Sequence, residues 1–161
     1  MNLRAMLLGI LGMSGLSGCS AFTYPSPGPS RQVMGLESTV DQARLAPCPS
    51  SPNCVCTYEQ DQEHGIVAFT FTKTPDEVMA GIESTLLENP KVRLLDKNVE
   101  KRYMHFAFKV GALGFVDDVE FYIHEPTKTV QFRSASRIGY SDWGVNRKRM
   151  EDLRNLLLGK I

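Results

Sequence analysis

Residues with the chemistry to bind or transform a ligand are concentrated between Gly114 and Met150. This stretch contains two adjacent carboxylates, several arginines and serines, two tyrosines and the only tryptophan of the chain. Proteins use carboxylates, guanidinium groups and hydroxyls to orient polar ligands and to move protons. The candidate ligand-binding residues are Asp117, Asp118, Arg133, Ser136, Arg137, Tyr140, Asp142 and Arg149.

Two consecutive strands joined by a short turn are expected to carry most of these candidates. Because side chains alternate between the two faces of a strand, the turn decides which residues become neighbours. A four-residue turn over 125–128 places Glu120 opposite Arg133. The same register places Asp117 opposite Ser136.

One face of this hairpin is expected to be more polar than the other. The preceding strand brings His105 beside Glu120, so that His105, Glu120 and Arg133 form a charged row. Asp118 lies on the same face, with Arg137 on the diagonal. The Glu120–Arg133 pair can also be an ordinary cross-strand ion pair, which contributes about 0.2–1 kcal/mol when it is exposed.

Asp117 is expected on the opposite, apolar face of the hairpin. A buried carboxylate stays ionised only if hydrogen-bond donors or a cation accompany it. Ser134, Ser136 or main-chain N–H groups of the following loop can supply the donors. Two interpretations remain open, because Asp117 can belong to a binding site or can simply tie down the loop at 139–141.

Alternating apolar residues predict the strands that position these groups. The pattern indicates a strand over 66–72, a short one over 92–96 and a longer one over 101–110, followed by the hairpin. We therefore predict an α+β domain with a single antiparallel sheet of about five strands. The expected order is β-α-β-β-β-β-α, with both helices on one face.

Two helices are predicted from start signals and apolar spacing. Thr74-Pro-Asp-Glu77 is a capping box, and the helix that it starts ends near Glu88. Ser141 or Asp142 is expected to cap a second helix from about Val145. The residues expected to face inward are Val78, Met79, Ile82, Leu86, Leu87, Val145, Met150, Leu153, Leu156 and Leu157.

The start of the second helix has an unusual composition. Arg147, Lys148 and Arg149 occupy its first turns, where the helix macrodipole disfavours cations. A carboxylate of the hairpin or a bound anion can offset that cost. Trp143, just before this helix, is expected in the core, with the wall of a pocket as the alternative.

The N-terminus has the features of a targeting segment. Arg4 precedes an apolar stretch at 5–13 that is too short to span a membrane, and Leu16-Ser-Gly-Cys19 matches the bacterial lipobox. Acylation of Cys19 anchors a chain to a membrane, and Ser20 after it resembles the pattern of outer-membrane lipoproteins facing the periplasm. We expect a signal peptide at 1–18, a lipidated Pro/Ser/Gly-rich tether at 19–44 and a globular domain at 45–161.

Composition limits the partners of this domain. The chain has 161 residues, which suits one domain, and a formal charge of zero. Nothing in this balance indicates nucleic acid. The expected partners are the membrane, through Cys19, and a small polar ligand or an envelope protein. Within the tether, residues 36–45 are expected to form at most a weak helical turn.

Three cysteines remain once Cys19 is acylated. Outside the inner membrane the compartment is oxidising, so a Cys48–Cys54 disulfide is expected, with Cys48–Cys56 as the alternative. Reduced thiols or a metal site that includes His64 are the other interpretations, although the spacing is not a standard zinc pattern. A leftover Cys56 can act as a thiol switch.

Three segments resemble a known family: Cys48–Cys54, Phe115–Phe121 and Arg133–Arg147. They are similar to the family catalogued as domain of unknown function 1499, from about Leu45 to the C-terminus. The resemblance implies a bacterial envelope protein, often a lipoprotein, with relatives in photosynthetic organisms. It implies no established activity. The usual family pattern has a serine after Cys54-Val, so Cys56 is a local departure.

The leading functional hypothesis is a non-enzymatic envelope lipoprotein that binds a small polar ligand or a partner. The opposing hypothesis is a hydrolase or transferase acting on an anionic envelope substrate. Asp118 or His105 would then be the base, and Arg137 or Arg149 would hold the substrate. The sequence has no nucleophile elbow, no HExxH motif and no phosphate-binding glycine loop. It identifies no cofactor and no metal ligand set.

Overall fold

In the computed structural model, residues 34–38 and 43–161 are described. The strands are β1 (Leu36–Ser38), β2 (Ala43–Leu45), β3 (Cys54–Cys56), β4 (Phe69–Thr70), β5 (Val92–Asn98), β6 (Tyr103–Val110), β7 (Phe115–His124) and β8 (Thr129–Ser136). The helices are α1 (Pro75–Leu87) and α2 (Val145–Leu157), and a single 3-10 turn spans Glu125–Thr127. The predicted signal peptide, Cys19 and most of the tether lie outside the described residues.

A six-stranded antiparallel sheet forms the centre of the domain. Its order is β3-β8-β7-β6-β5, and β4 pairs with another part of β8. The α+β class is confirmed, but the strand count and layout differ from the prediction. The strand predicted over 66–72 is reduced to Phe69–Thr70, and residues 54–56 form β3. Three residues are too few to show an alternating pattern, so the sequence did not reveal β3.

The predicted hairpin register is confirmed. The connection over 125–128 joins β7 to β8 and places Glu120 opposite Arg133. The β6 register is also confirmed, with His105 opposite Glu120. Odd-numbered residues of β7 therefore face one side of the sheet and even-numbered residues face the other.

Both helices cover one face of this sheet. The largest buried cluster joins apolar residues of α1 and α2 with Phe106, Phe121 and Phe132 of the three central strands. Rings on adjacent strands pack edge to face, as Phe106 and Phe121 do at 5.9 Å between centroids. The apolar phase of the strands thus determines which face receives the helices.

The helix starts follow local sequence signals. In the capping box before α1, Thr74 Oγ1 accepts a hydrogen bond from the main-chain N of Glu77, and the Glu77 carboxylate accepts one from the main-chain N of Thr74. The inward orientation predicted for Leu87, Val145 and Leu156 is wrong, because they are 45%, 38% and 56% exposed. Within the described ranges, no helix is both long and apolar enough to cross a membrane.

A two-stranded ribbon of β1 and β2 lies on the other face of the sheet. Leu36 pairs with Leu45, and both pack with Tyr103 and Cys56. The weak helical turn predicted over 36–45 is therefore wrong for the described residues, which are extended. Apolar contact with the sheet selects the strand conformation here, because the segment has no helical apolar face of its own.

The predicted Cys48–Cys54 disulfide is confirmed. The two sulfur atoms are 2.03 Å apart and the Cα atoms are 5.7 Å apart. Cys56 is buried and is not disulfide-bonded. The bridge closes the turn that leads into β3, and so fixes where the chain joins the edge of β8.

Candidate functional site

The adjacent carboxylates Asp117 and Asp118 lie on opposite faces of the sheet. Asp117 is beneath α2, where its Oδ2 accepts a hydrogen bond from Nη2 of Arg149 at 2.5 Å. These two side chains are only 4% and 10% exposed. Of the two kinds of partner that a buried Asp117 requires, hydrogen-bond donors or a cation, the structure shows the cation, Arg149. The expectation that a hairpin carboxylate offsets the cations of α2 is confirmed by Arg149.

Asn146 completes the cluster on the helix side. Its Nδ2 donates to Ser136 Oγ at 3.0 Å, and its Oδ1 accepts from Ser134 Oγ at 2.6 Å. Arg149 Nη1 also donates to Ser134 Oγ at 3.0 Å. These buried polar groups of α2 and β8 therefore satisfy one another's hydrogen-bonding requirements. This arrangement favours the structural interpretation of Asp117, which fastens α2 to the sheet.

Asp142 fixes the first turn of α2. Its Oδ2 accepts from the main-chain N of Asn146 at 2.7 Å, and its Oδ1 accepts from the main-chain N of Gly144 at 3.0 Å. Gly144 has a φ of 78°, a conformation that favours glycine. The prediction that Ser141 or Asp142 caps α2 is confirmed only in part, because Gly144 holds the N-cap position and Asp142, two residues earlier, accepts from the first turn. Its carboxylate also complements the positive end of the helix dipole.

The charged row around Glu120 is covered by the β1–β2 ribbon. Oε1 of Glu120 accepts from the Tyr103 hydroxyl and from the main-chain N of Gly35, each at 2.7 Å. Arg133 Nη1 donates to Oε2 at 3.2 Å, and these two charged side chains are 0% and 1% exposed. Burial, followed by the Glu120 charge, raises the pKa of Tyr103 well above its usual value, so its hydroxyl remains a donor. The hydrogen bond between Gly35 and Glu120 thus helps to hold the ribbon on the sheet.

Asp118 is the centre of a second cluster on this same face, beyond the covered row. Arg137 binds its carboxylate with two nitrogens, Nε to Oδ2 at 2.8 Å and Nη2 to Oδ1 at 2.7 Å. His105 Nε2 lies 2.8 Å from Oδ1. The side chains of His105 and Arg137 are 15% and 14% exposed. The predicted Asp118–Arg137 diagonal is confirmed, and His105 contacts Asp118 as well as lying opposite Glu120.

The electrostatics keep Asp118 ionised. Burial alone would raise the pKa of Asp118, but hydrogen bonds from His105 and Arg137 outweigh it and lower that pKa below its usual value. A bidentate arginine contact of this kind is among the stronger charge-assisted hydrogen bonds. In the described part of the chain, Asp118 is the one hydrogen-bond partner of the His105 ring. The second ring nitrogen, Nδ1, makes no hydrogen bond to the described residues.

The segment after β8 presents aromatic side chains to solvent. Tyr140 is 74% exposed and Trp143 is 93% exposed. The prediction that Trp143 lies in the core is therefore wrong. Within the described ranges, no hydrogen bond joins Tyr140 to the Asp117 or Asp118 clusters. Tyr140 is therefore the ligand-binding candidate that belongs to neither the Asp117 cluster nor the Asp118 cluster.

The metal interpretation of the cysteine loop has no support among the described residues. Cys48 and Cys54 are joined to each other, and His64 Nδ1 lies 3.0 Å from Asp61. No group of three or more His, Cys, Asp or Glu side chains in the described ranges is placed to hold a metal ion. Burial raises the pKa of the Cys56 thiol, which keeps it protonated at neutral pH.

A comparison with known families finds a match over most of this domain. The family model described as "Protein of unknown function (DUF1499)" matches residues 44–157, which include all three carboxylate clusters and both helices. The chain belongs to this family. No curated protein and no solved structure matches the chain significantly. Membership in the DUF1499 family confirms the sequence resemblance and leaves the activity open, because the family description names none.

The sequence candidates separate into distinct places in this DUF1499 domain. Two partners were not predicted. Tyr103 lies diagonal to Glu120 across β6 and β7 and was not a candidate. Asn146 resembles a surface residue between the basic side chains of α2. The candidates divide as follows: Asp117, Ser136 and Arg149 on the helix side, Arg133 under the ribbon, Asp118 and Arg137 in the partly exposed cluster, Asp142 at the helix cap and Tyr140 in the exposed loop.

Proposed function

We propose that this DUF1499 protein is a lipid-anchored protein of the bacterial envelope whose domain binds a small polar ligand without transforming it. The observation that carries the proposal is the cluster of His105, Asp118 and Arg137. Its two basic side chains keep 15% and 14% of their surface exposed. The side chains of Glu120 and Arg133, by contrast, are only 0% and 1% exposed.

The charge of this cluster favours a ligand with an anionic group. Two basic side chains, His105 and Arg137, surround the single carboxylate of Asp118. Guanidinium and imidazole N–H groups are donors that suit a carboxylate or phosphate oxygen. Ala107 and Ala135 lie on either side of Asp118 in the sheet.

Binding without catalysis is favoured because the cluster has no evident nucleophile. No serine, threonine or cysteine side chain of the described residues hydrogen-bonds His105, so the pairing of nucleophile and base is missing there. The lowered pKa makes Asp118 a weak general base. The second candidate function is a hydrolase or transferase with His105 as base and Arg137 holding an anionic substrate. Arg149 does not suit that role, because it is committed to Asp117.

The lipobox that ends at Cys19 supports the proposed lipid anchor. Ser20, the residue after it, supports localisation to the outer membrane. The test is expression of the full chain in a Gram-negative host, followed by Triton X-114 partition and mass analysis of the N-terminal peptide. The parent chain should enter the detergent phase with an acylated Cys19. Cys19→Ala should lose the acyl mass. A parent chain with an unmodified Cys19 would contradict the anchor.

Ligand binding is testable through the histidine rings. The chain has three histidines, so His64 and His124 serve as internal references for His105 in NMR titrations with inorganic phosphate and with acetate. The His105 resonances should move saturably and the other two should not. His105→Gln, which can still bond Asp118, should abolish the response while the chain remains folded.

Native mass spectrometry of the chain recovered from a periplasm complements this titration. A mass that is lost on denaturation and absent in His105→Gln would identify the bound molecule. The binding proposal would be contradicted if the His105 resonances did not move in the titrations and native mass spectrometry detected no bound molecule. Hydrolysis of p-nitrophenyl acetate or p-nitrophenyl phosphate that disappears in His105→Gln would instead favour the enzyme.

A further inference from the structure

Large apolar and aromatic side chains are exposed at one end of the six-stranded sheet. Leu113 lies in the turn between β6 and β7, Phe115 begins β7, and the other three follow β8. The exposed fractions are 82% for Leu113, 46% for Phe115, 59% for Ile138, 74% for Tyr140 and 93% for Trp143. We call these five side chains the apolar end.

The two loops meet because sheet pairing continues beyond the end of β8. The main-chain N of Arg137 donates to the carbonyl of Val116 at 3.1 Å, so Ile138 follows opposite Phe115. Both then lie on the helix side of the sheet. Trp143 stands immediately before α2, which is docked on the same end of β8. The exposed apolar residues thus lie at the same end of the sheet, and exposed apolar side chains that cluster in this way mark an interaction site.

The backbone of the apolar end is held in place. Asn53 Nδ2 donates to the carbonyl of Gly139 at 2.8 Å, and the main-chain N of Trp143 donates to Ser141 Oγ at 3.2 Å. Trp143 has a φ of 56°, a left-handed conformation that is costly for a residue with a side chain. The fold therefore holds its largest side chain in water at a conformational cost. An exposed tryptophan adds nothing to the core.

We propose that the apolar end contacts the phospholipid bilayer in which the lipid anchor of the same chain is inserted. This inference rests on the anchor at Cys19 proposed above. A tryptophan and a tyrosine beside aliphatic residues form the composition of a membrane–water interface, because their rings accept both apolar and hydrated surroundings. Five side chains on two loops are too few for a stable protein interface, which takes about 20–30 residues a side.

The length of chain before the ribbon allows this orientation. Cys19 precedes Met34 by 15 residues, which span at most about 50 Å.

Basic side chains flank the apolar end. Lys109 lies against the turn, since a Cβ on Gly114 would meet its Cε at 3.0 Å. Arg147 and Lys148 lie in the first turns of α2, and Lys148 is 75% exposed beside Asp152. Cations next to an apolar surface favour anionic phospholipid headgroups.

Trp143 is the single tryptophan and reports directly on this surface. A chain beginning at Ser20 contains every described residue and lacks the acyl group. It is mixed with vesicles of phosphatidylethanolamine and phosphatidylglycerol, with and without brominated acyl chains. We expect the Trp143 emission to move to shorter wavelength and to be quenched by the brominated lipid. The chain should also co-sediment with the vesicles.

Paired variants identify the surface that is responsible. Leu113→Ser combined with Trp143→Ser should reduce co-sedimentation by at least about tenfold, since both lose buried apolar area. Leu158→Ser is the matched control, because Leu158 is 83% exposed beyond the far end of α2 and should bind as the parent does. Circular dichroism and thermal unfolding verify that each variant is folded.

Two outcomes overturn the inference. One is an emission that vesicles leave unchanged. The other is a wavelength shift that appears without vesicles as the protein concentration rises, which would assign the surface to a second copy of the chain. Because this chain has no acyl group, failure here is separate from failure of the anchor. An acylated Cys19 with no vesicle contact by the domain would leave the proposed function standing.

Discussion

Asp117→Asn should destabilise the domain far more than Asp118→Asn, although the two residues are adjacent in sequence. Removing the charge of Asp117 leaves the guanidinium of Arg149, which is 10% exposed, without its counter-ion. Breaking a buried ion pair costs about 3–5 kcal/mol. The asparagine oxygen can still accept one hydrogen bond, and Arg149 also lies 4.9 Å from the Phe108 ring centroid. We therefore expect a loss near the lower limit, about 3 kcal/mol.

The comparison needs two further variants. In Asp118→Asn, the partners His105 and Arg137 reach solvent and can be rehydrated, so the expected loss is about 1 kcal/mol. Asp152→Asn is the exposed control, because Asp152 pairs with Lys148 at 57% and 75% exposure. Its expected loss is below about 0.5 kcal/mol.

The assay is equilibrium unfolding in urea, monitored by far-ultraviolet circular dichroism on a chain that begins at Ser20. Unchanged slopes would show that the midpoints report stability alone. For a domain of this size, a loss of about 3 kcal/mol corresponds to a thermal midpoint roughly 10 °C lower. If Asp117→Asn unfolds within about 1 kcal/mol of Asp152→Asn, the pair with Arg149 does not fasten α2 and the structural interpretation of Asp117 is refuted.

Three other predictions concern pH and the cysteines. Because the folded-state pKa of Asp118 is lowered, its stabilising contribution is complete at neutral pH and is lost as the pH falls through the folded pKa. The difference in unfolding free energy between the parent and Asp118→Asn should therefore shrink below about pH 4, and a constant difference in acid would contradict this. Cys56 should react with a thiol reagent roughly a hundredfold more slowly in the native chain than in urea, and equal rates would exclude a sealed thiol. Reduction of the Cys48–Cys54 bridge, which spans a sequence separation of 6, should lower the unfolding free energy by about 2 kcal/mol, and the Cys48→Ser/Cys54→Ser double variant should not respond to reductant.

The hairpin shows what the sequence could predict. The turn over 125–128 predicted the register. The alternating pattern supports it, because a shift by one residue would move Glu120 to the helix side and bury a charge among apolar residues. The pairing of Glu120 with Arg133 and the diagonal contact of Asp118 with Arg137 follow from that register alone. The capping box of α1 and the cap at Asp142 were equally local signals.

The remaining features depend on distant contacts. β3 is a strand because the edge of β8 accepts residues 54–56, and nothing within those residues shows it. The ribbon is extended because it packs on Tyr103 and donates to Glu120 through Gly35. Trp143 was misplaced because size predicts burial, whereas the docking of α2 directs this side chain away from the core.

The separation of Asp117 and Asp118 by the sheet also bears on how sequences of the family vary. Adjacent aspartates look interchangeable in an alignment, yet no exchange between them preserves either cluster, because each serves a different face. In aligned relatives, a change at position 117 should be accompanied by a change at 149, and a change at 118 by changes at 105 or 137. Correlated replacement between 117 and 118 themselves would indicate that the two carboxylates share one role, contrary to their placement on opposite faces.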